Sequence, residues 1–574
     1  SRKLEAHYRD MQDIEFTIER KKLYILQTRT GKRSAAAAVK VAVDLVEEGM
    51  ISREEALQRV DPHQLEQLLH RRIDPEARLE VIARGLPASP GAASGKVIFS
   101  ADRAQSEAAR GEKVLLVRPE TTPDDIHGIY AAQGVLTSRG GMTSHAAVVA
   151  RGIGKSCVCG CESLRIDQAK GCFYIDDREF AEGEILSIDG STGRVILGEV
   201  PLIDPELSPE FKKLLGWADQ IRRLKVRANA DTPEDARRAL EMGAEGIGLC
   251  RTEHMFMEKS RVPLVQRMIM ASTLQERQEA LADLLPLQKN DFKGIFKVMA
   301  GYPVTIRLLD PPLHEFLPNR EALLLEVDRL RREKGDQELL QQKEALLQTV
   351  RSLSEMNPML GHRGCRLGIV YPEIYRMQVQ AIFEAAVELL EEGMAPGDLR
   401  LEIMIPLVGH RQELMRMKEE VEQAAAAVLK QAGRDLPYLI GTMIELPRAC
   451  LVAGQLAEVA QFFSFGTNDL TQTTLGYSRD DAEGKFLPFY LQEKILPENP
   501  FMEIDREGVG RLVKLAIEEG RRSRPDIKLG VCGEHGGDPA SVEFFHEAGL
   551  DYVSCSPFRI PIARLAAARA LLDV

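Results

Sequence analysis

One histidine of this sequence lies in a setting that would make it a nucleophile. In the segment Arg139-Gly-Gly-Met-Thr-Ser-His145, an apolar strand pattern runs into paired glycines, and a helix is predicted to begin near His145. Thr143 and Ser144 are suited to cap that helix. The free N–H groups and the positive dipole end of a helix start favour a bound anion and disfavour an imidazolium ion. A neutral imidazole there is a nucleophile, and its phosphorylated form would be stabilised. The alternative is a histidine that only caps or packs the helix.

A second group of residues, mostly polar or reactive, lies at or near the ends of apolar strand patterns much later in the chain: Arg251, Arg307, Glu445, Gly466, Thr467, Asn468, Asp469 and Cys532. Glu445 and Asp469 are 24 residues apart, about one strand–helix repeat, so their carboxylates are expected on one face. Two carboxylates with room for water and substrate oxygens suit Mg²⁺. Arg251 and Arg307 can grip a phosphate with paired hydrogen bonds. For each residue the alternative is a structural ion pair between neighbouring strands.

Two sets of cysteines permit different chemistry. Cys532 follows an apolar strand and precedes Gly-Glu-His-Gly-Gly, a position from which a thiol could transfer a proton to or from carbon. Its alternative is a buried structural cysteine. Cys157, Cys159 and Cys161 stand at alternate positions, which is typical of one face of a strand. Metal binding by these three is disfavoured because no second pair of ligands is near.

These residues require a scaffold that brings strand ends together. Short apolar strands beginning near residues 225, 246, 304, 401, 439, 462, 528 and 551 alternate with amphipathic helices. Eight such units predict a (β/α)8 barrel, with its active site at the carboxyl ends of the strands. Before them, residues 95–200 show short strands and glycine turns typical of a compact β-rich domain carrying a helix or two. The fold class is therefore α/β and multidomain. A highly charged segment, 320–354, predicts a solvated helix pair inserted into the barrel.

Composition restricts the class of protein. The chain has 574 residues, 44% of them hydrophobic, and a net charge of −12, which argues against general nucleic-acid binding. No apolar stretch is long enough to predict a membrane span. Nine cysteines without a small-domain framework favour a reducing, cytoplasmic compartment. The chain starts within a helical pattern, so it is expected to be part of something longer.

Several of these segments closely resemble the pyruvate phosphate dikinase family of PEP-utilising enzymes. The resemblance covers essentially the whole chain and is carried by motifs such as GGMTSHAAVVARGIGK (140–155), GIGLCRTEHMF (246–256), GTMIELPRA (441–449) and VCGEHGGDPASVEF (531–544). It implies a reaction that interconverts ATP, phosphate and pyruvate with AMP, pyrophosphate and phosphoenolpyruvate. It also implies a homodimer formed through the barrel.

The resemblance assigns a role to individual residues. His145 would carry the phosphoryl group, Glu445 and Asp469 would bind Mg²⁺, and Cys532 would protonate the enol carbon. Substrate would be bound by Arg251, Arg307, Arg363, Glu445, Gly466, Thr467, Asn468 and Asp469. Thr143 matches a position that is regulated by phosphorylation in plant members. Glu15, Gln27 and Arg29 match nucleotide-site positions.

The resemblance also implies a division of the chain. Residues 1–33 would be the remnant of an ATP-grasp nucleotide-binding domain, and residues 34–84 a helical linker. Residues 85–200 would be a swivelling phosphohistidine domain, and residues 201–216 a second linker. Residues 217–574 would be the barrel that binds phosphoenolpyruvate or pyruvate. Because the earlier ATP-grasp motifs are missing, ATP and AMP are expected as substrates only of a longer protein, and this chain is expected to perform the phosphoenolpyruvate/pyruvate half alone.

Three alternatives stay open on the sequence. A phosphoenolpyruvate synthase would differ only in the nucleotide half of its reaction. A magnesium-dependent enolate lyase or aldolase would use the barrel alone. A binding scaffold or regulatory subunit would bind pyruvate or a partner without being phosphorylated.

Overall fold

The computed structural model of the chain describes residues 2–121, 125–141, 144–152, 154–168, 170–176, 178–203, 208–257, 260–318, 320–332, 336–355 and 357–572. These residues form two compact units. The first, called here the N-terminal unit, comprises 1–223, 477–502 and 561–574; the second, the barrel unit, comprises 224–476 and 503–560. Among the helices in the described ranges, none combines the length and hydrophobicity that crossing a bilayer demands.

The N-terminal unit begins with a helix, a hairpin and a small helical region. The antiparallel strands of the hairpin pair in a register that contains one bulge after Glu15. Side-chain caps at Ser34 and Ser52 start the two helices that follow. The elements are α1 (Arg2–Tyr8), β1 (Gln12–Glu19), β2 (Lys22–Thr30), α2 (Ala35–Glu47), α3 (Arg53–Arg59), α4 (Pro62–Leu65), a 3₁₀ turn (Glu66–Leu68) and β3 (Arg72–Ile73).

A mixed eight-stranded sheet forms the centre of the N-terminal unit, in the order β4-β14-β13-β6-β7-β8-β9-β5. Strands β6 to β9 run parallel and are joined through helices α5 (Ala101–Ala109), α6 (Ile126–Ala131) and α7 (His145–Gly152), while β10 to β12 form a separate antiparallel sheet. One face of the main sheet packs on the helices and the other shares a core with the small sheet, so its central strands are buried on both faces. The strands of these two sheets are β4 (Val81–Arg84), β5 (Leu86–Ser89), β6 (Ala92–Ile98), β7 (Val114–Arg118), β8 (Gly134–Thr137), β9 (Ser156–Cys159), β10 (Leu164–Asp167), β11 (Cys172–Ile175), β12 (Arg178–Ala181), β13 (Ile185–Asp189) and β14 (Arg194–Leu197). A further short strand, β15 (Leu202–Ile203), pairs with β3.

The helices of the N-terminal unit come from distant parts of the sequence. The predicted start of a helix at His145 is confirmed by α7. The remaining helices of this unit are α5 (Ala101–Ala109), α6 (Ile126–Ala131), α7 (His145–Gly152), α8 (Pro209–Ile221), α21 (Arg479–Lys485), α22 (Leu487–Gln492) and nearly all of α25 (Ile560–Leu572).

The barrel unit is a closed parallel barrel of eight strands, as the alternation of strands and helices predicts. Its last strand pairs with its first, so the barrel has no free edge. The strands are β16 (Lys225–Asn229), β17 (Ile247–Arg251), β18 (Pro303–Arg307), β19 (Arg400–Ile405), β20 (Tyr438–Ile444), β21 (Phe462–Phe465), β22 (Lys528–Val531) and β23 (Tyr552–Cys555).

Helices connect the barrel strands. The predicted insertion is a helix pair, α13 and α14, with its own small core of leucine and valine side chains. The helices are α9 (Pro233–Glu241), α10 (Thr252–Phe256), α11 (Val262–Met270), α12 (Leu274–Val298), α13 (Arg320–Arg332), α14 (Gln337–Leu353), α15 (Gly364–Val370), α16 (Pro372–Glu391), α17 (Arg411–Ala432), α18 (Pro447–Leu451), α19 (Ala453–Ala457), α20 (Thr467–Leu475), α23 (Val509–Ser523) and α24 (Pro539–Ala548), with 3₁₀ turns at Leu313–Phe316, Pro358–Leu360, Pro396–Asp398, Glu534–Gly537 and Pro557–Arg559.

The barrel interior contains a buried ionic network. Arg227 Nη1 donates to Glu402 Oε2 at 2.9 Å and to Thr305 Oγ1 at 3.2 Å, and Lys528 also contacts Glu402. The Arg227 guanidinium lies 4.0 Å from the centre of the Tyr552 ring. Burial favours the neutral form of Glu402, but the two cations prevail and lower its pKa to about 2. The network therefore stays charged at neutral pH.

Candidate functional site

Three carboxylates meet beyond the carboxyl ends of the barrel strands. Asp310 lies three residues after β18, Glu445 directly follows β20, and Asp469 lies in the first turn of α20. One oxygen from each lies within 4.8 Å of the others. Sequence reasoning brought Glu445 and Asp469 together but missed Asp310. The sequence does indicate this position, because Asp310 is the last residue of the strand pattern VTIRLLD and therefore belongs at the carboxyl end of that strand.

Glu445 is held in place by backbone geometry. Its Oε1 accepts a hydrogen bond of 2.6 Å from the N–H of Leu407, a residue with a left-handed φ of 60°. Gly466 leaves room for the carboxylate, since a Cβ at that position would lie 2.7 Å from Glu445 Oε2. Burial, and then repulsion from Asp310 and Asp469, raise the pKa of Glu445 well above its usual range. A divalent cation would remove that repulsion, so the set of oxygen donors fits Mg²⁺.

Two arginines bracket Asp310. Arg307 Nη1 lies 2.9 Å from Asp310 Oδ2, and its Nη2 contacts Glu253. Arg363 donates from Nη2 to both Asp310 Oδ2, at 2.7 Å, and Asp469 Oδ2, at 2.9 Å. Burial favours the neutral acid, yet the two guanidinium groups prevail and lower the pKa of Asp310. Cations and carboxylates therefore alternate across the mouth of the barrel.

Arg251 is fixed by one carboxylate. Asp231 accepts from the backbone N–H of Arg251 at 2.7 Å, and from its Nε and Nη2 at 3.0 and 2.6 Å. His254 Nδ1 lies 2.8 Å from the same carboxylate. Burial opposes the charge on Asp231, but Arg251 and His254 lower its pKa. Like Glu253 beside Arg307, Asp231 was missed by sequence reasoning, because only the folded barrel shows which acid faces which arginine.

The start of α20 adds polar groups to the same mouth. Asn468 Oδ1 accepts a hydrogen bond of 3.1 Å from the backbone N–H of Glu534. The hydroxyl of the buried Thr467 lies 2.8 Å from Nδ1 of His535. These bonds tie the first residues of α20 to the segment that follows β22, and the amino-terminal end of α20 favours negative charge nearby.

Cys532 directly follows β22 and is buried. Its backbone N–H donates to the carbonyl of Phe465 at 3.1 Å, and its thiol packs with Leu249, Met404 and Met443. Burial raises the pKa of the thiol to about 11. The thiol is therefore protonated at neutral pH, as a proton donor must be.

The hairpin residues Glu15, Gln27 and Arg29 also lie close together. Glu15 and Gln27 are directly opposite each other on β1 and β2. Arg29 donates from Nε to Asp13 Oδ2 at 2.9 Å and lies 3.9 Å from Glu15. All three side chains are exposed.

The histidine motif lies in the N-terminal unit. His145 is the first residue of α7, directly after a turn in which Gly140 has a left-handed φ of 101°. Ser144 caps the helix by accepting from the N–H of Ala147 at 3.4 Å. The side chain of His145 and the whole of Thr143 lie outside the described part of the chain, so the structure gives no geometry for the expected nucleophile or for the expected regulatory site.

Comparison with family models covers most of the chain. The model described as the PEP-binding domain of PEP-utilising enzymes matches residues 206–572. The model of the mobile domain of PEP-utilising enzymes matches residues 111–193. The model of the AMP/ATP-binding domain of pyruvate phosphate dikinase matches residues 1–50.

Curated relatives agree with these matches. The chain is 57% identical over 570 residues to a pyruvate, phosphate dikinase of Rhizobium meliloti, covering 99% of this chain and 62% of the relative. It is 56% identical over 572 residues to the chloroplastic pyruvate, phosphate dikinase 1 of Oryza sativa, covering 99% and 59%. It is 54% identical over 577 residues to that of Clostridium symbiosum, covering 100% and 64%. The chain thus spans about three-fifths of the length of these relatives.

Proposed function

Since the chain belongs to the PEP-utilising enzymes, we propose that it transfers a phosphoryl group between phosphoenolpyruvate and His145. This is the phosphoenolpyruvate/pyruvate half of the dikinase reaction, in which a complete nucleotide domain would use ATP and phosphate. The observation that carries the proposal is the group of three carboxylates interleaved with arginines at the barrel mouth. Such a site suits a substrate that carries both a phosphate and a carboxylate.

Glu445 and Asp469 would hold Mg²⁺, with Asp310 beside them, and the ion would stabilise the enolate oxygen of the substrate. Arg307 and Arg363 are already oriented by Asp310, so they need little reorganisation to bind the phosphoryl oxygens. Arg251, fixed by Asp231, would offset further negative charge during transfer.

Proton transfer to carbon is assigned to Cys532. Loss of the phosphoryl group from phosphoenolpyruvate leaves an enolate, whose terminal carbon must gain a proton to give pyruvate. A buried thiol with a raised pKa holds that proton at neutral pH and lies beside the apolar side chains of Leu249, Met404 and Met443. The reverse reaction would use the same thiol after it has lost its proton.

The experiment is incubation of the chain with phosphoenolpyruvate and Mg²⁺, followed by intact-mass measurement. An acid-labile phosphoryl adduct is expected, which excess pyruvate removes and which is absent from His145→Ala. His63→Ala, a change at an exposed histidine of α4, is the matched control and should keep the adduct. Absence of an adduct in folded protein that still binds Mn²⁺ would reject the phosphoryl carrier and favour a lyase or a binding scaffold.

We also propose that the protein works in the cytoplasm and forms a homodimer through its barrel. The nine buried, unpaired cysteines of the described chain suit a reducing compartment. Light scattering of the purified chain at several concentrations tests the dimer, and a monomeric mass at micromolar concentration would exclude it.

A further inference from the structure

Two buried thiols of the N-terminal unit lie in contact directly beneath α7. Cys157 and Cys159 are alternate residues of β9, and their Sγ atoms are 3.4 Å apart. Both belong to the core between the sheet and its helices, whereas Cys161 packs into the core on the opposite face. The cysteine pattern therefore resolves into one facing pair and one separate residue.

The pair is linked to the start of α7 through Ser144. The hydroxyl of Ser144 lies 3.4 Å from Cys159 Sγ and also accepts the capping hydrogen bond from Ala147. Ser144 immediately precedes His145 in the sequence. A change in the charge or position of the Cys159 sulfur would therefore alter the position of the Ser144 hydroxyl, which caps the helix that begins at His145.

The two thiols differ in acidity. A hydrogen bond from Cys157, together with the bond from Ser144, outweighs burial and lowers the pKa of Cys159 to about 6. Its own hydrogen bond with Cys159, and then burial, raise the pKa of Cys157 well above the usual range. A thiolate beside a protonated thiol is the combination that thiol oxidation to a disulfide requires.

We propose that Cys157 and Cys159 are a redox modification site, at which a peroxide closes a reversible disulfide that weakens the cap of α7. The disulfide itself is independent of the reaction proposed above, whereas its effect on the phosphorylation of His145 rests on that proposed function. Transient, redox-sensing disulfides of this kind are compatible with a reducing compartment.

The step is balanced with hydrogen peroxide as the oxidant. The Cys159 thiolate attacks one peroxide oxygen, the O–O bond breaks, and hydroxide leaves a sulfenic acid on Cys159. Cys157 sulfur then attacks the Cys159 sulfur, the S–O bond breaks, and the hydroxide released takes up the Cys157 proton as water. The hydroxide from the first step takes up the proton that Cys159 lost when it became a thiolate. In total, two thiols have lost two electrons, and one peroxide has become two waters.

The local geometry favours a disulfide that is easily reduced. Two residues of extended strand span roughly 6.6 Å between Cα atoms, close to the upper limit of about 6.8 Å for a disulfide. A disulfide formed there lies at the edge of the usual geometry, where small deviations introduce strain, and strained disulfides are the labile and regulatory ones. Both residues are fully buried, so peroxide reaches them only when α7 opens locally. Once Cys159 is oxidised, Cys157 is already in contact with it.

The test treats the whole chain with hydrogen peroxide, then denatures it in the presence of N-ethylmaleimide and maps the cysteines by mass spectrometry. The peptide that contains both residues is expected to lose two hydrogens, resist alkylation and recover both thiols after dithiothreitol. Full alkylation of both residues, or oxygen added to either without a disulfide, would overturn the proposal.

Two further measurements separate the site from folding defects and from the proposed function. The wild-type chain should bind the dithiol probe phenylarsine oxide at this pair, and Cys159→Ser should lose that binding. Cys161→Ser is the control and should still bind the probe, because the Cys161 sulfur of the wild type lies apart from the pair, 3.7 Å from Ser163 Oγ. Binding of the probe by Cys159→Ser would exclude the pair. Oxidised chain should also lose phosphorylation of His145 by phosphoenolpyruvate and regain it after reduction. An unchanged adduct in fully disulfide-bonded protein would reject the link to α7 while leaving the site itself established.

Discussion

Asp310 interacts both with the arginines of the barrel mouth and with the two carboxylates that are expected to bind a metal ion. It orients Arg307 and Arg363, and one of its oxygens lies within 4.8 Å of oxygens of Glu445 and Asp469. Its lowered pKa keeps it anionic throughout the neutral range. A metal ion bound by the other two acids would therefore meet a third negative charge.

Asp310→Asn is expected to weaken binding of Mn²⁺, used as a paramagnetic probe in place of Mg²⁺, by on the order of tenfold or more. The amide keeps the shape of the side chain but removes its charge. Titration followed by electron paramagnetic resonance measures the dissociation constant. Asp328→Asn, at an acid that pairs with Arg332 on the inserted helix pair, is the control. Unchanged Mn²⁺ binding with weaker phosphoenolpyruvate binding would make Asp310 an anchor for arginines alone.

Cys532 permits a prediction about pH. A thiol with a pKa of about 11 stays protonated as pH rises through 8 and 9, where an ordinary cysteine would lose its proton. Pyruvate formation from phosphoenolpyruvate should therefore show no decline assignable to this thiol below about pH 10. Cys532→Ala should abolish the exchange of pyruvate methyl protons with deuterated water, followed by NMR, while Mn²⁺ still binds. Full exchange in that variant would assign the proton to another group.

The sequence predicted where the residues of this candidate site lie better than it predicted which side chains they contact. Arg251, Glu445 and Asp469 could be placed at the barrel mouth because each ends or closely follows an apolar strand, and the carboxyl ends of the strands face that mouth. Asp231 and Glu253 could not be predicted, because their importance lies in contacts with arginines on other parts of the fold. Such pairings depend on the tertiary arrangement and leave no periodic trace in the sequence.

At the scale of elements, the turn between β21 and α20 determines where Glu445 lies. In Gly466→Ala the new Cβ would lie 2.6 Å from Met443 Cε and 2.7 Å from Glu445 Oε2. The carboxylate must move, so Mn²⁺ affinity is expected to fall by at least tenfold with an unchanged circular dichroism spectrum. Gly397→Ala, where a Cβ would meet nothing within 4 Å, should behave like wild type. Equal Mn²⁺ binding by both variants would contradict the role assigned to this glycine.

Most strands and helices of the barrel could be predicted from the sequence. All eight barrel strands were predicted, because each is a short apolar run bounded by polar residues and helices. Leu407 has a left-handed backbone conformation that directs its N–H to Glu445. No feature of the sequence predicts this conformation. Leucine rarely adopts that conformation, and only the surrounding fold can impose it.

At the scale of the whole molecule, the barrel depends on its buried ionic network. Glu402→Gln leaves Arg227 buried without its anionic partner, which is expected to lower the free energy of unfolding by about 3–5 kcal/mol. Urea denaturation at neutral pH measures this. Glu388→Gln, at a partly exposed acid of the helix surface that pairs with Lys289 and Lys293, should cost about 0–1 kcal/mol. An equal loss of unfolding free energy in the two variants would show that the buried network stabilises the barrel no more than a surface ion pair does.

The same network predicts an acid limit. Glu402 has a folded-state pKa of about 2, below its ordinary value of 4.5. Its contribution to stability is therefore complete above about pH 4.5 and is lost as pH falls towards 2. Thermal unfolding between pH 6 and 2 should show this loss in the wild type. The loss of stability at low pH should be smaller in Glu402→Gln. An identical dependence of stability on pH in the two proteins would show that Glu402 does not cause the loss.

The hairpin of β1 and β2 has a consequence for how the protein behaves at high concentration. Its two strands form a sheet of their own, and the side chains of Phe16, Ile18, Ile25 and Leu26 are all more than half exposed. Both outer edges of such a ribbon present unpaired backbone groups next to apolar surface, which is a template for further strands. Turbidity and slow fibrillar aggregation in stored samples should therefore begin at this ribbon and be delayed by a lysine at Ile18 or Leu26.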